Sequence, residues 1–478
     1  MPSPVRLLAD QAFSRAAGAP LVQGNAVRIL KDARENYPAW LDAIAGAERW
    51  IHFESYIIHG DAVGRRFAEA LAERARAGVR VRVLYDWAGG LFTGSGPLWR
   101  LLRAAGAEIR VFNPPRLHHP VSWMSRDHRK MLAVDGEIGF VAGLCVGQAW
   151  EGDTARGVEP WRDTGVAIRG PAVADIEHAF VQVWNDVGDP LPADERVDAA
   201  TIPPAGEVAL RVIDTMPATA GMMRLDQLVA ALARRTLWIA DAYFVGTPAH
   251  TQALRAAADD GVDVRLLVPG GSDLVLLQPL TRAGYRPLLE GGVRIFEWNG
   301  PMMHAKTAVA DGKWSRVGSS NLNLQSWLGN WELDVAIEDE VIGRDMAAMF
   351  EDDLAHATEV VLDGRHRVPR IRPARRSPAR RGSAGRAAAG ALRLGNTLGA
   401  VLTLTRTLGP SDARTLFYGA LFLLVTGAVG LAWPRALAWP LGAVCLWVGL
   451  GWTVEAWHLW RRRRAPSSTG GPDQPARK

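Results

Sequence analysis

The sequence predicts an α/β protein built from two copies of one folding unit, followed by a helical hairpin long enough to span a membrane. Three observations support this prediction. One order of strands and helices occurs twice, each copy ends in a short motif with histidine and lysine, and two apolar stretches lie near the C-terminus. Strands that alternate with helices are typical of a mostly parallel sheet covered by helices.

The first copy follows a lead-in with a predicted helix at residues 26–45. Apolar, β-branched runs indicate buried strands, and glycine after a helical pattern indicates the end of a helix. The predicted elements are a strand at 50–58, a helix at 67–77, a strand at 79–86, a helix at 97–105 and a strand at 108–112.

The second copy repeats this order. Even short words agree, since RAAGAEIRVF in the first copy resembles LLEGGVRIFEW in the second. The corresponding elements are expected at 237–245, 250–260, 262–270, 286–290 and 293–296. We therefore predict four regions: a first lobe at 1–200, a second lobe at 201–363, an Arg/Pro-rich linker at 364–386 and a membrane region at 387–478.

Each motif places a histidine two residues before a lysine: His128 and Lys130, then His304 and Lys306. Residues two apart on a strand share a face, so each pair projects together. Two imidazoles and two ammonium groups suit a phosphodiester: one neutral histidine attacks phosphorus and one protonated histidine supplies a proton to the leaving alkoxide. The lysines stabilise the developing charge, and a phosphohistidine intermediate requires neither metal nor cofactor.

An aspartate followed by glycine ends the strand after each lysine, at Asp135 and Asp311. As members of the motif, both are candidate catalytic residues. Asp-Gly is also a strong hairpin signal, and this context favours a role in the turn over contact with substrate.

A short polar loop follows the second motif. Its backbone N–H groups and side chains suit an anion, so Ser319 and Asn321 are candidate ligands of the substrate phosphate. The first motif has Gly143 and Cys145 at the corresponding positions, and no neighbouring pattern marks the cysteine as an activated nucleophile.

Residues 304–321 match HxKx₄Dx₆GSxN in full, and this pattern resembles the signature of the phospholipase D superfamily. Surrounding segments, including ESYIIHGD, GVRVRVLYD, WRDTGVAIRGPAVADIE and GSSNLNLQSWLGNWELDV, are similar to its bacterial cardiolipin synthase branch. The resemblance covers roughly residues 50–362 and implies duplicated α/β/α lobes, related by a pseudo-two-fold axis, whose motifs face each other.

The resemblance also implies roles for individual residues. It makes His128 the nucleophile and His304 the general acid, and it makes Asp163 and Glu332 the carboxylates that each orient the histidine of their own lobe. For Asp163, a salt bridge on the side of a helix stays open as an alternative.

The C-terminal region has two apolar stretches, at 416–433 and 436–457, each close to the ~20 residues that span a bilayer. Basic residues flank the outer ends of the pair, which predicts that both termini and the lobes lie on the cytoplasmic side of a bacterial inner membrane. A buried helical hairpin of a soluble domain is the alternative.

Positive charge is concentrated in the tail. Nine arginines lie within 365–386 and four more at 461–464, against a net charge of +5 for the whole chain. The linker therefore suits anionic lipid head groups, or it is a solvated, disordered segment. The lobes are mildly acidic on balance, which argues against a general nucleic-acid binder.

These observations predict a phosphatidyltransferase that makes cardiolipin from phosphatidylglycerol, with phosphatidylethanolamine as another possible donor. A hydrolytic phospholipase D, or a phosphodiesterase or nuclease of the same superfamily, is the alternative among enzymes. A non-catalytic, membrane-anchored lipid-binding protein is the alternative from another class.

Overall fold

The computed structural model describes residues 4–115, 125–273 and 281–362, with scattered positions between 424 and 453. Contacts divide the chain into one unit of Met1–Pro114 and Ser125–Asn396, which contains all the elements below, and a second of Pro115–Met124 and Thr397–Lys478. The described strands are β1 (Val22–Lys31), β2 (Trp50–Ser55), β3 (Arg80–Asp86), β4 (Glu108–Phe112), β5 (Lys130–Val134), β6 (Ile138–Ala142), β7 (Thr164–Arg169), β8 (Val208–Thr215), β9 (Thr236–Ala240), β10 (Asp263–Pro269), β11 (Arg294–Trp298), β12 (Thr307–Ala310), β13 (Trp314–Gly318), β14 (Glu332–Glu338) and β15 (Ala357–Val360).

The described α-helices surround these strands. They are α1 (Pro4–Ala17), α2 (Asp32–Ala45), α3 (Ala62–Arg76), α4 (Trp87–Gly90), α5 (Gly96–Ala104), α6 (Gln148–Glu151), α7 (Val173–Asp186), α8 (Gly221–Leu232), α9 (Pro248–Asp259), α10 (Tyr285–Glu290), α11 (Leu324–Leu328) and α12 (Glu340–Ala355).

The strands form one continuous sheet whose two halves repeat. At its centre β1 pairs antiparallel with β8. Outward from β1 the order is β7-β6-β5-β2-β3-β4, and outward from β8 it is β14-β13-β12-β9-β10-β11, with β15 added at the edge. We call the β1–β7 half lobe 1 and the β8–β15 half lobe 2. The predicted α/β duplication is confirmed.

The expectation of a mostly parallel sheet was wrong. Only β2-β3-β4 and β9-β10-β11 pair in parallel among the described strands. The strands between them and the centre run antiparallel, because each motif strand turns back through its Asp-Gly hairpin instead of crossing over through a helix.

The predicted helix at 26–45 was wrong over its first six residues. Residues 26–31 belong to β1, which pairs with β7 from Ala26–Arg169 to Lys31–Thr164, and α2 begins only at Asp32. Long-range pairing with β7 therefore overrides the local helical pattern here.

Helices cover both faces of each half. α2, α3 and α5 pack on one face of lobe 1, and α8, α9 and α10 pack on the equivalent face of lobe 2. The opposite faces meet in one shared cluster that includes Phe180 and Trp184 of α7 and Met346 and Phe350 of α12. The two lobes thus share a core, which fixes the motifs relative to each other.

The first helix packs on the second lobe. Phe13, Ala17 and Ala19 join the cluster around Met222 and Leu225 of α8. The predicted first domain, 1–200, therefore begins with a helix that completes lobe 2.

The linker predicted at 364–386 lies outside the described residues, and the membrane region at 387–478 is described only at scattered positions of its two predicted spans. Within the described part of the chain, no helix combines the length and apolar character needed to cross a bilayer.

Candidate functional site

Two short backbone bridges join the lobes at the motifs. Asp127 bridges Trp331, and Arg162 bridges Met303. The His128 N–H donates to the Trp331 carbonyl at 2.8 Å, and the His304 N–H donates to the Arg162 carbonyl at 2.7 Å. Each motif histidine is therefore tied by its own backbone to the opposite lobe, and both histidines lie at the seam.

Each histidine pairs with a carboxylate of the other lobe. His128 Nδ1 lies 2.8 Å from Glu332 Oε2, and His304 Nδ1 lies 2.6 Å from Asp163 Oδ2. The expectation that each carboxylate orients the histidine of its own lobe was wrong. The backbone bridges explain the crossed pairing. Glu332 directly follows Trp331 and Asp163 directly follows Arg162, so each carboxylate lies next to the histidine of the opposite lobe.

Asp163 is held from three sides, which excludes the alternative of a salt bridge beside a helix. It is fully buried and accepts hydrogen bonds from the Trp150 indole N–H at 3.0 Å and the Thr164 N–H at 2.8 Å, besides its contact with His304. A Cβ on Gly143 would come within 2.2 Å of Asp163 Oδ1. Glycine at that position therefore leaves room for the carboxylate.

Ser319 supports Glu332. Its hydroxyl accepts the Leu333 N–H at 2.9 Å, and a hydrogen bond from Ser319 helps to lower the pKa of Glu332. The side chain is fully buried, so the hydroxyl is committed to protein groups and the predicted contact with phosphate has no support.

Asn321 differs from Ser319. Its side chain is nearly buried, and Oδ1 has no hydrogen-bond partner among the described residues. A buried acceptor without a partner costs about 1–3 kcal/mol, so Oδ1 is suited to accept from a substrate hydroxyl. The Nδ2 amine of the same side chain is the group that can donate to a phosphate oxygen.

Both motif lysines are buried and point back at their histidines. The Nζ of Lys130 donates to the His128 carbonyl, and that of Lys306 donates to the His304 carbonyl. Lys306 Nζ also lies 2.9 Å from His304 Nδ1 and 3.2 Å from Nε2. The two ammonium groups therefore lie beside the histidines, where both positive charges would stabilise a negatively charged phosphate oxygen.

Sequence reasoning missed a pair of tyrosines. The Tyr56 ring lies 5.0 Å from that of His128, and the Tyr243 ring lies 5.8 Å from that of His304. Tyr243 donates its hydroxyl to Asp273 at 2.8 Å. The sequence did contain a signal for them, because both tyrosines follow the first parallel strand of their lobe, in the similar segments ESYII and DAYFV.

Burial governs the protonation of the site. It lowers the pKa of His128, and together with Lys306 it lowers the pKa of His304 to about 3. Burial alone would raise the pKa of Asp163 and Glu332, but the facing imidazoles hold both pKa values below normal. At neutral pH each Nδ1–H thus donates to an anionic carboxylate, and each neutral ring keeps its lone pair on Nε2, where Lys306 Nζ lies 3.2 Å from the Nε2 of His304.

Burial also lowers the pKa of the Lys306 ammonium group. Burial lowers its pKa to about 8 although Asp163 opposes the shift, and the charge of Lys130 adds to the decrease. Lys306 is therefore charged at neutral pH and loses its charge in mildly alkaline solution.

Asp135 and Asp311 lie away from the histidines. Lys130 begins β5 and Asp135 follows its last residue, roughly 16 Å away at ~3.3 Å per residue. Asp135 accepts three backbone N–H groups just before and at the start of β2, at 2.7, 2.8 and 2.7 Å. Asp311 accepts three just before and at the start of β9, at 3.0, 2.8 and 2.9 Å. Both have left-handed φ, 56° and 54°. The catalytic assignment was wrong, and the predicted turn is confirmed.

Known proteins resemble this chain in sequence. The family model described as "Cardiolipin synthase, PLD-like domain" matches residues 229–354. The probable cardiolipin synthase YwiE of Bacillus subtilis is 31% identical over 349 residues, covering 72% of this chain and 69% of that protein. The cardiolipin synthase of Geobacillus thermodenitrificans is 33% identical over 347 residues, covering 71% and 68%.

A solved structure shares the fold. The crystal structure of phosphatidylserine synthase from Haemophilus influenzae superimposes with a TM-score of 0.58 at 13% sequence identity, covering 73% of this chain and 91% of that one. At this identity the match shows a common architecture and no more.

Proposed function

The chain belongs to the cardiolipin synthase family of the phospholipase D superfamily, and we propose that it transfers a phosphatidyl group to phosphatidylglycerol and so makes cardiolipin. One observation carries the proposal. Two histidines from different lobes lie at one seam, each with its Nδ1 on a carboxylate of the opposite lobe.

In the first step His128 is the nucleophile. Its neutral Nε2 attacks the phosphorus of the donor lipid, so a P–N bond forms while the P–O bond to the head-group alcohol breaks. Glu332 stabilises the positive charge that develops on the imidazole, and Lys130 and Lys306 stabilise the charge on the non-bridging oxygens.

His304 is the general acid for the leaving alkoxide. Its pKa of about 3 keeps it neutral at pH 7. A phosphodiester anion beside the ring favours the imidazolium, so substrate binding and proton uptake are coupled. The released alcohol is glycerol when the donor is phosphatidylglycerol.

In the second step the roles reverse. His304 takes the proton from a hydroxyl of phosphatidylglycerol, the oxygen attacks phosphorus, and the P–N bond breaks to release cardiolipin and neutral His128. Asp163 holds the His304 ring with Nε2 toward this hydroxyl in both steps.

The C-terminal region serves to hold the lobes at the membrane. We assign membrane-spanning helices to 416–433 and 436–457, head-group binding to the linker at 364–386, and a cytoplasmic position to the lobes and both termini. Supporting this, the described side chains of Leu431, Trp433 and Trp439 are 88%, 70% and 75% exposed, which favours an apolar environment for them.

The test is product formation by the purified full-length protein. Vesicles of phosphatidylglycerol alone should yield cardiolipin and glycerol in equal amounts, and added phosphatidylethanolamine will show whether a second donor is used. His304→Ala should be inactive. Phosphatidic acid as the main product would establish the hydrolytic alternative, and unchanged lipid in both mixtures would refute the enzyme.

A further inference from the structure

We propose that four exposed apolar side chains, Phe92, Val158, Leu324 and Leu328, form the face through which the lobes dock on the surface of a phospholipid bilayer. We call this set the apolar rim. The inference rests on the proposed function, because it concerns how a lipid substrate reaches the histidines.

The exposure of these side chains is large. Phe92 is 78% exposed, Val158 47%, Leu324 43% and Leu328 39%. The other large apolar side chains exposed in the described lobes are Leu232, Val341 and Val361. Those three lie at the opposite end of the sheet, near the Asp-Gly hairpins or the start of the outer strands. The rim residues instead lie in two loops and one short helix that contact the site.

Phe92 belongs to a loop fixed beside His128. The Cβ of any side chain at Gly89 would lie 1.9 Å from the Tyr56 carbonyl, so this loop begins in direct contact with the residue that packs on His128. Asp86 accepts the Gly89 N–H and also the N–H of Asp127, the residue before His128. The loop is thus anchored at its base, and Phe92 extends from it into solvent.

Leu324 and Leu328 lie on a helix fixed beside His304. They are four residues apart on α11, so they share one face of that helix, while Trp327 is buried. Asn323 anchors the helix, since its side chain donates to the Tyr243 carbonyl at 3.0 Å and accepts the Ser326 N–H at 3.0 Å. Tyr243 is the ring that packs on His304.

Val158 lies on a third loop that leads to His304. Asp153 and Val158 exchange backbone hydrogen bonds of 2.7 and 2.9 Å, which turns the chain back on itself. The chain then reaches Trp161, whose ring lies 5.6 Å from that of His304.

The acyl chains of the lipid substrate indicate that this face binds a phospholipid bilayer. The side chains of His128 and His304 are only 12% and 6% exposed, so phosphate must enter a closed seam. A phosphatidyl group carries two acyl chains that cannot follow it, and they must stay in an apolar phase next to the opening. The rim residues lie on segments of both lobes that contact the site, so the rim can hold those chains there.

The first test compares two forms of one substrate. Full-length Phe92→Asp and Leu328→Asp proteins are assayed with phosphatidylglycerol in vesicles and with dihexanoyl phosphatidylglycerol below its micelle concentration. We expect the vesicle rate to decrease at least tenfold and the monomer rate to stay within twofold. Val341→Asp, at a side chain 57% exposed at the opposite end, is the control and should change neither rate.

The second test needs no activity. Cysteine replaces Phe92 or Val341 in a Cys445→Ser background and is labelled with a polarity-sensitive dye, in protein reconstituted in phosphatidylglycerol vesicles. The dye at 92 should report an apolar environment and the dye at 341 an aqueous one. Equal dye spectra at both positions would refute the proposed docking face. Equal decreases of the vesicle and monomer rates in the first test would refute it as well. An inactive wild type with the expected dye contrast would instead refute the proposed function alone.

Discussion

Lobe 1 supports the loop after its motif hairpin with aromatic packing, whereas lobe 2 supports the equivalent loop with buried charges. In lobe 1 the Tyr37 hydroxyl donates to the Cys145 carbonyl at 2.8 Å and accepts the Gly147 N–H at 3.2 Å. Tyr37 packs edge-on against Phe67 at 5.3 Å. Burial raises the pKa of the Cys145 thiol, which leaves it a neutral part of the core.

In lobe 2 the loop is tied by ionic groups. Buried Arg316 donates to Asp226 at 2.7 Å and to the Ser320 carbonyl at 2.9 Å. Asp334 accepts hydrogen bonds from both the backbone and the hydroxyl of Ser320. Asp241 accepts the Leu322 N–H at 2.7 Å, so the loop is held on both sides of Asn321.

The two loops are supported differently because the residues at corresponding positions differ. Counted from the motif histidines, Phe140 is the counterpart of Arg316, and counted from the seam carboxylates, Gly165 is the counterpart of Asp334. Lobe 2 carries the amide of Asn321 where lobe 1 has Cys145. The proposed phosphate ligand Asn321 needs a fixed position, and the charged cluster holds its loop at the cost of burying several carboxylates.

The largest expected effect is on stability. Arg316→Met leaves Asp226, Asp241 and Asp334 without their buried cation, so we expect the free energy of unfolding to decrease by about 3–5 kcal/mol. The matched change in lobe 1, Phe140→Leu, removes only apolar contact and should cost about 1–2 kcal/mol. Denaturant titration of the detergent-solubilised protein, followed by near-UV circular dichroism, measures both. Equal losses would remove the energetic distinction between the lobes.

The second effect tests the crossed carboxylates. Glu332→Gln should impair His128, and Asp163→Asn should impair His304, each by about 10²–10³-fold in turnover. A phosphatidyl donor with p-nitrophenol as head group needs no general acid for its departure. With it, we expect the single-turnover release of p-nitrophenol to recover in Asp163→Asn and stay slow in Glu332→Gln.

Pairing within each lobe predicts the opposite recovery for the same two variants. A double variant, Asp163→Asn with Glu332→Gln, serves as the control and should remain slow with either head group.

A third, smaller effect concerns the loops. Asn321→Ala removes a hydrogen bond to a charged phosphate, so we expect kcat/KM to decrease by about 10–100-fold. Cys145→Ala, at the corresponding position of lobe 1, should change kcat/KM less than about threefold, since the thiol donates weakly. Comparable losses in both variants, measured with a soluble short-chain substrate, would mean that the two loops serve the phosphate equally.

The smallest effect is a pH dependence. The pKa of Lys306 is about 8, so its charge is complete well below pH 8 and is lost as the pH rises through that value. We expect kcat/KM to decrease on the alkaline side with an apparent pKa near this value. Lys306→Arg should move the decrease to higher pH, whereas Lys313→Arg, at an exposed lysine, should not. Identical profiles for all three proteins would exclude Lys306 as the titrating group.

Local patterns predicted much of this site. The duplication, both His/Lys pairs and the turn role of the aspartates follow from spacing and strand periodicity, which act within a few residues. The crossed contacts of Asp163 and Glu332 could not be predicted, because they arise from backbone bridges between residues more than 100 positions apart. The cluster around Arg316 was missed for the same reason, and the role of Ser319 depends on where Glu332 lies.

In the proposed mechanism one composite site transfers the phosphatidyl group through His128. The direct measurement is a rapid quench of the full-length protein with a donor labelled at phosphorus, followed by mass spectrometry of the protein. We expect an acid-labile phosphatidyl adduct on His128 that forms in a burst and is absent in His128→Ala. An adduct on His304, or wild-type turnover by His128→Ala, would contradict it.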